Sequence, residues 1–307
     1  MPTIAVTGAS GFIGRHVMRW LSRRRGCRVV ACGRNREKLQ KLGVEYIVHD
    51  LSIERADSYD LLGRPDGLIH LAWEGLPRYN DPVHIEENLF ASYRFLKTMI
   101  AGGLPSLTVA GTCYEYGLQT GSLSEDVAPR PTTCYGIAKN SLRVFLEEMR
   151  KRYPFRLMWT RLFFLYGEGQ HPRSLIPQLD MAMMRREESF AMSGGEQLRD
   201  YLPVEEASRL LVLLAMQDKH EGIVNVCSGA PISVRRLVEE RIARQGGAIR
   251  LDLGVFPYPD YEPMAYWGDA ARLRKIAGEA GTAGALNGPP AAVRIPRAAG
   301  QMRLRHP

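Results

Sequence analysis

The stretch Thr3-Ile4-Ala5-Val6-Thr7-Gly8-Ala9-Ser10-Gly11-Phe12-Ile13-Gly14 reads as an apolar strand, a glycine-punctuated turn and the opening of a helix. In that order each glycine has a physical task. Gly8 permits the tight turn, Gly11 lets the backbone approach a pyrophosphate, and Gly14 lets the helix pack close to the strand. The free N–H groups and positive dipole end of the helix then face the phosphates. A glycine triplet alone also fits an ordinary turn. Between a strand and an amphipathic segment, it predicts a dinucleotide site built from Gly8, Ser10, Gly11, Phe12, Ile13 and Gly14.

Outward from this stretch, apolar β-branched runs recur at 28–32, 45–49, 68–72, 107–110 and 157–165, with helical patterns at 85–100 and 138–152. This rhythm predicts an α/β fold, a Rossmann-type doubly wound parallel sheet with helices on both faces. After Tyr166-Gly167 the rhythm breaks into a Gly/Pro/His stretch, a helix near 175–186 and a short strand around Phe190. The helix Val204 to Met216 and the strand Ile223 to Cys227 read as a return to the sheet. The expected division is therefore residues 1–168 plus about 204–228 for the dinucleotide domain, and 169–203 plus 229–277 for a smaller C-terminal substrate domain. From Gly278 to Pro307 the chain is dominated by Ala, Gly, Pro and Arg without periodicity, and a poorly ordered tail is expected.

Composition narrows the class. The 307 residues suffice for a large core, and no apolar run approaches the ~20 residues of a membrane span. The N-terminus reads as strand rather than leader. Five scattered cysteines without CxxC spacing argue against a metal site and for reduced thiols in a cytoplasm. The net charge of +8 is uneven: +9 falls within residues 1–41 and +3 after 278, leaving −4 for the middle. No nucleic-acid-binding motif accompanies the basic residues.

Tyr135 and Lys139 lie four residues apart at a predicted helix start, on one face. A phenol is a poor acid–base group near neutrality. A lysine cation about 5 Å away at effective dielectric ~20 is worth roughly 3 kcal/mol, about two units of pKa downward. Tyr135 is thereby a candidate proton donor to a carbonyl or acceptor from an alcohol. Thr112, ending the strand Val109-Ala110-Gly111-Thr112, would offer a hydroxyl to the same oxygen.

The ordered series Gly8 to Gly14, His70-Leu71-Ala72, Thr112…Tyr116-Gly117, Tyr135…Lys139, Arg161…Tyr166-Gly167 and Arg199-Asp200-Tyr201 resembles the extended short-chain dehydrogenase/reductase family, in its nucleotide-sugar 4-ketoreductase/epimerase branch. The resemblance implies a catalytic Thr112–Tyr135–Lys139 triad, with Tyr135 and Lys139 also beside the nicotinamide and its ribose. It implies Asp50 and Leu51 beside the adenine, and Leu71, Ala72 and Trp73 along the cofactor. Arg199 would meet the diphosphate of a nucleotide sugar and Tyr266 would line that pocket, with Tyr114 and Phe164 also on the substrate side; by position, Cys113 faces the substrate or packs as a small residue, and Glu74 meets sugar hydroxyls or caps a loop. It also implies a homodimer through the helices at 85–100 and 138–152.

Departures from that pattern narrow the reaction. The family's 4,6-dehydratases carry Asp-Glu after the active-site threonine, whereas this chain has Cys113-Tyr114, so no acid–base pair is there to eliminate water. The second strand ends Cys32-Gly33-Arg34-Asn35-Arg36, without an acid for a free ribose hydroxyl; Arg34, Asn35 and Arg36 suit the 2′-phosphate of NADP(H), with NAD(H) left open. Phe164 replaces a common Asn, and the second diphosphate arginine expected shortly before Tyr266 is missing. The expectation is an NADPH-dependent reductase of a nucleoside-diphosphate 4-keto-6-deoxyhexose. An NAD-dependent 4-epimerase and a non-catalytic cofactor-binding protein are the alternatives.

Overall fold

Strands buried on both faces must be covered by helices on both sides, and the chain supplies them in alternation. In the computed structural model, which describes residues 1–280, the order begins β1 (Thr3–Thr7), α1 (Phe12–Ser22), β2 (Arg28–Gly33), α2 (Arg36–Gln40), β3 (Glu45–Val48), α3 (Ser58–Leu61) and β4 (Gly67–His70). It continues through α4 (Phe90–Ala101), β5 (Ser106–Thr112), β6 (Gly121–Leu123), α5 (Cys134–Met149), β7 (Arg156–Leu162) and β8 (Phe164–Tyr166). Then follow α6 (Leu175–Met184), β9 (Ser189–Ala191), β10 (Leu198–Pro203), α7 (Val204–Met216) and β11 (Gly222–Val226). The described chain closes with β12 (Pro231–Ser233), α8 (Val234–Arg244), β13 (Arg250–Asp252), β14 (Tyr266–Gly268) and α9 (Ala271–Glu279).

The central sheet is parallel throughout, in the order β11-β7-β5-β4-β1-β2-β3. From β1 the chain winds outward to β2 and β3, then crosses back to β4. The direction of winding therefore reverses between β1 and β4, where the loops after the two strands part and leave a crevice. One face of the sheet is packed by Val17 and Leu21 of α1, Leu210 and Leu214 of α7, and Leu273 and Ile276 of α9. Phe95 and Leu96 of α4 and Leu142 and Leu146 of α5 cover the other. Outside this sheet, β10 joins β8 and β12, β13 pairs with β9, and β14 pairs with β6.

Several local expectations shift for identifiable reasons. The run 157–165 is two strands, because the chain leaves the central sheet at Phe163, whose ring packs near Tyr116 and Tyr266. Helix α5 begins at Cys134, since the Thr133 hydroxyl accepts from Gly136 N and caps the first turn. The helical pattern at 85–100 opens with one π turn at His84–Leu89 before α4. Helix α9 falls partly in the stretch expected for the substrate domain, yet its apolar face joins the core against α7 and β11. That face carries the chain back to the large sheet before residue 277. Residues 278 and 279 complete α9, so the expected tail does not begin there. The rest of that tail, from 281, lies outside the described residues.

Gly14 is where the opening motif is least tolerant. A Cβ there would lie 2.2 Å from the Gly8 carbonyl oxygen, which is backbone and cannot swing aside. Gly14→Ala should therefore cost at least about 1–3 kcal/mol, read as a lowered urea midpoint. An unchanged midpoint would contradict the close packing of α1 on the turn.

Candidate active site

The crevice at the winding reversal is a groove of about 420 Å³. Gly8, Ser10 and Gly11 form one wall, Arg34, Asn35 and Lys38 one end, and Asp50, Leu51 and Ala72 the other side. Gly8 has φ +66°, and a Cβ on it would lie 2.8 Å from Ala72 N, so only glycine lets the turn sit this close to the opposite wall. Helix α1 begins at the groove with no side-chain cap and no acid in its first turn, leaving N–H groups and dipole available to an anion. Behind the wall, the Thr7 hydroxyl lies 2.9 Å from His70 Nδ1 and also accepts from Leu71 N. Burial, then the charge of Lys139, pushes His70 down to about 3, so it stays neutral. These residues fit a pyrophosphate-linked dinucleotide.

Thr112, Tyr135 and Lys139 meet at the carboxyl end of β5. All three are buried, and the Thr112 hydroxyl, which accepts from Tyr114 N, lies close enough to the Tyr135 phenol to favour its anion. The electrostatics correct the sequence-based expectation. Burial pushes Tyr135 above the usual phenol range, opposed only by the neighbouring Thr112 hydroxyl, and Lys139 is not among the causes. The Lys139 ammonium instead donates to Ala110 O at 2.8 Å and lies 3.8 Å from the centre of the Trp73 indole. Desolvation pushes it down to about 7, with Glu115 opposing. Trp73 also sets its edge toward Tyr135, at 6.0 Å between ring centres, and donates to His84 Nδ1. The indole thus stands between the groove and the three catalytic candidates.

Beneath them lies an ion pair with no exposed surface, Glu115 with Arg161, at 2.8 Å. Glu115 also accepts from Thr112 N at 2.9 Å and from Trp159 Nε1. Cys113 and Tyr114, the two positions that distinguish this chain from dehydratases, are held un-ionised by burial: Cys113 is pushed up to about 12 and Tyr114 well above the phenol range.

Toward the smaller sheets, the Arg199 guanidinium packs on the rings of Phe164 and Tyr266 and pairs with Glu262 at 2.8 Å. Asp200, wholly buried, accepts from Ser228 N, Gly229 N and Gly268 N, tying β10 to its neighbours and fixing Arg199. Tyr79 stacks on Tyr114 at 4.3 Å and leans over Tyr135 at 5.9 Å. An aromatic enclosure results, with Cys113 beside the Tyr266 hydroxyl.

Some expected residues are placed elsewhere. Glu74 does not face the aromatic enclosure; it lines the dinucleotide groove and pairs with Arg34 at 2.5 Å across its rim. Arg36 starts α2, exposed and outside the groove lining, while Lys38, two residues on, lines it. Phe12 and Ile13 open α1 without lining the groove, Ile13 and Leu71 packing on the core instead. Tyr79, Glu262 and Lys38 were not singled out from sequence. Only the β2–α2 position of Lys38 carried a usable signal, because Tyr79 and Glu262 sit in aperiodic proline-containing loops. Among the described residues, no cluster of His, Cys, Asp or Glu is arranged to hold a metal ion, and no helix is long and apolar enough to cross a membrane.

Residues 4–227 match the model of the NAD dependent epimerase/dehydratase family. The chain belongs to this family. Among curated relatives, it is 33% identical over 269 residues to the dTDP-6-deoxy-L-talose 4-dehydrogenase (NAD(+)) of Aggregatibacter actinomycetemcomitans, covering 86% of this chain and 98% of that one. The GDP-6-deoxy-D-talose 4-dehydrogenase of the same organism is 25% identical, covering 77% of this chain and 78% of that one. Among solved structures, MoeE5 in complex with UDP-glucuronic acid and NAD superposes with a TM-score of 0.78 at 28% identity, covering 90% of this chain and 92% of that one. The family consists of NAD-dependent enzymes that modify nucleotide sugars, matching the branch read from the motifs.

The depressed pKa of Lys139 fixes the sign of a stability effect. Between about 7 and the ordinary lysine value of 10.5, the unfolded chain holds a proton that the folded chain has lost. This residue's contribution to stability therefore rises with pH across that window. Urea midpoints of wild type and Lys139→Met, measured near both ends of it, should show the wild type gaining on the variant as pH rises. A difference independent of pH would contradict a desolvated lysine.

Proposed function

We propose that this protein is a reductase of nucleoside-diphosphate 4-keto-6-deoxyhexoses, using NADPH. The observation that carries the reading is the burial of Thr112 and Tyr135 side by side at the carboxyl end of β5, flanked by the un-ionised Cys113 and Tyr114. A bound nicotinamide would supply the hydride to the C4 carbon of the sugar. Thr112 holds the C4 oxygen and orients it toward Tyr135. Because burial disfavours its anion, Tyr135 keeps its proton until the oxygen becomes strongly basic, then donates it. Lys139, one turn along the same helix, would hold the nicotinamide ribose, its Nζ being fixed by Ala110 O. Arg199 and Tyr266 seat the diphosphate, and Tyr79, Tyr114 and Phe164 enclose the sugar and keep water out.

Two relatives named as 4-dehydrogenases of 6-deoxytalose nucleotides support the position of the chemistry, since a 4-dehydrogenase run in reverse reduces a 4-keto group. NADP(H) rather than NAD(H) is our reading of Arg34, Asn35 and Lys38 at the adenosine end, where β2 itself ends at Gly33 without an acid and the 2′-phosphate would compete with Glu74 for Arg34. We assign the central sheet with its covering helices to the cofactor, and the smaller sheets around β10 to the nucleotide sugar. A homodimer through α4 and α5 would cover Phe90, Ile137, Val144 and Phe145, which are exposed on those helices. A cytoplasmic setting suits five unpaired cysteines.

Purified protein should oxidise NADPH only when a 4-keto-6-deoxy sugar nucleotide is supplied, and Tyr135→Phe should lower kcat by about 10²- to 10⁴-fold. Undiminished turnover in the variant removes Tyr135 from the chemistry. Interconversion of C4 epimers without net cofactor consumption would establish the epimerase instead. Arg34→Ala should raise the KM for NADPH about tenfold, equivalent to ~1.4 kcal/mol, and leave that for NADH little changed. Equal effects on both would contradict a 2′-phosphate contact.

A further inference from the structure

Arg199 is engaged by the protein at each of its three guanidinium nitrogens. Its Nε and Nη2 donate to Glu262 at 3.2 and 2.8 Å, and its Nη1 donates to the carbonyls of Leu198 and Met264 at 2.9 and 3.3 Å. The second oxygen of Glu262 accepts from the Tyr114 hydroxyl. The Tyr114 ring in turn stacks on Tyr79 at 4.3 Å, and the Tyr79 ring meets Tyr261 at 6.1 Å. A chain of contacts, polar at Glu262 and aromatic beyond it, therefore runs from the loop before β14 to the loop before α4, across the aromatic enclosure. Its central link is the carboxylate paired with Arg199.

We infer that Glu262 is an internal stand-in for the substrate's diphosphate, which must displace it from Arg199, so that Glu262 sets the affinity of the site for its substrate. The inference rests on the reading of Arg199 as the diphosphate seat. A buried guanidinium without a counter-charge is strongly destabilising, so in the free protein the carboxylate is what makes the seat tolerable. A diphosphate offers the same charge and the same oxygen acceptors. Binding is then an exchange of one anion for another, and only the difference between them appears as affinity. The missing second arginine before Tyr266 fits this arrangement: the segment that lacks it delivers an anion to the seat rather than a cation to the ligand.

The geometry allows the exchange without moving the seat. Met264 O accepts from Leu198 N at 2.8 Å and Ala265 bridges to Leu198, so the chain beyond Glu262 stays pinned to β10. The two carbonyl contacts and the rings of Phe164 and Tyr266 hold the guanidinium in place by themselves. Glu262 therefore leaves by rotating its own side chain, together with the segment 258–261 that precedes it. Release breaks the Tyr114 contact at the same moment, which frees Tyr114 and Tyr79 to rearrange around a sugar. In this way arrival of the diphosphate opens the enclosure where the chemistry is done.

Calorimetric titration of the full chain with dTDP and with inorganic pyrophosphate tests this directly. Glu262→Gln keeps the shape and removes the charge, and should bind both ligands about tenfold more tightly than the wild type, or ~1.4 kcal/mol. Arg199→Gln added to that variant should abolish the gain. Should Glu262→Gln fail to fold, Tyr114→Phe loosens the carboxylate without removing it and should tighten binding about threefold. Equal or weaker binding by these variants overturns the inference, and the diphosphate seat stands if Arg199→Gln alone still weakens binding. Absence of binding to wild type and variants alike overturns the seat, and the inference with it.

Discussion

A carboxylate with no exposed surface, Glu115, holds the candidate active site together. It ion-pairs with Arg161 on β7, accepts from Trp159 Nε1 on the same strand, and accepts from the amide of Thr112 at the end of β5. Arg161 gives Nε to Glu115 and lays its guanidinium over the Tyr116 ring, while its two Nη groups are buried without a hydrogen-bond partner, so the pair gains specificity of position rather than net stability. Its position is what matters here. It locks the carboxyl ends of β5 and β7 in register and fixes the backbone of Thr112 at that end. Gly111 has no side chain because a Cβ there would lie 2.3 Å from Trp159 Nε1 and 2.6 Å from Glu115 Oε1.

From that anchor the site divides into two compartments. The dinucleotide groove is open, glycine-walled and polar. The enclosure over Tyr135 is aromatic and buried, and burial dominates its ionisations: it raises Tyr135, Tyr114 and Cys113 and lowers Lys139. Trp73 stands at the boundary, stacked on the Lys139 ammonium and edge-on to Tyr135. The same desolvation that strengthens electrostatic interactions in the enclosure makes each unpaired charge costly. Every charged group there is accordingly paired, stacked or neutral.

The winding of the sheet was legible because its cause is local: a glycine spacing, a strand period and a helix period, each visible within a dozen residues. The placement of Thr112 and Tyr135 followed from the same regularity, since both sit where regular elements end. Long-range effects were not legible. Nothing near Lys139 in sequence shows that Trp73 lies against it, so its charge was expected to act on Tyr135 when desolvation in fact governs both. Glu74 was read toward the sugar because its partner Arg34 is forty residues away at the far rim of the groove. Glu262 and Tyr79 were invisible for a related reason: they lie in irregular loops whose conformation depends on the surfaces they meet. Helix α9 was assigned by sequence order, but its apolar face selected the large sheet.

The most direct measurement is a double-mutant cycle on the buried pair, using Glu115→Gln, Arg161→Leu and the combined variant, read as urea unfolding free energies. If the pair anchors the end of β5, each single change leaves one partner buried and uncompensated and costs about 3–5 kcal/mol. The combined variant then loses little more than either alone, a coupling well beyond the 0.3–0.5 kcal/mol or so of independent sites. Losses that simply add would show that Glu115 and Arg161 act separately, and would contradict the anchor on which the position of Thr112 depends.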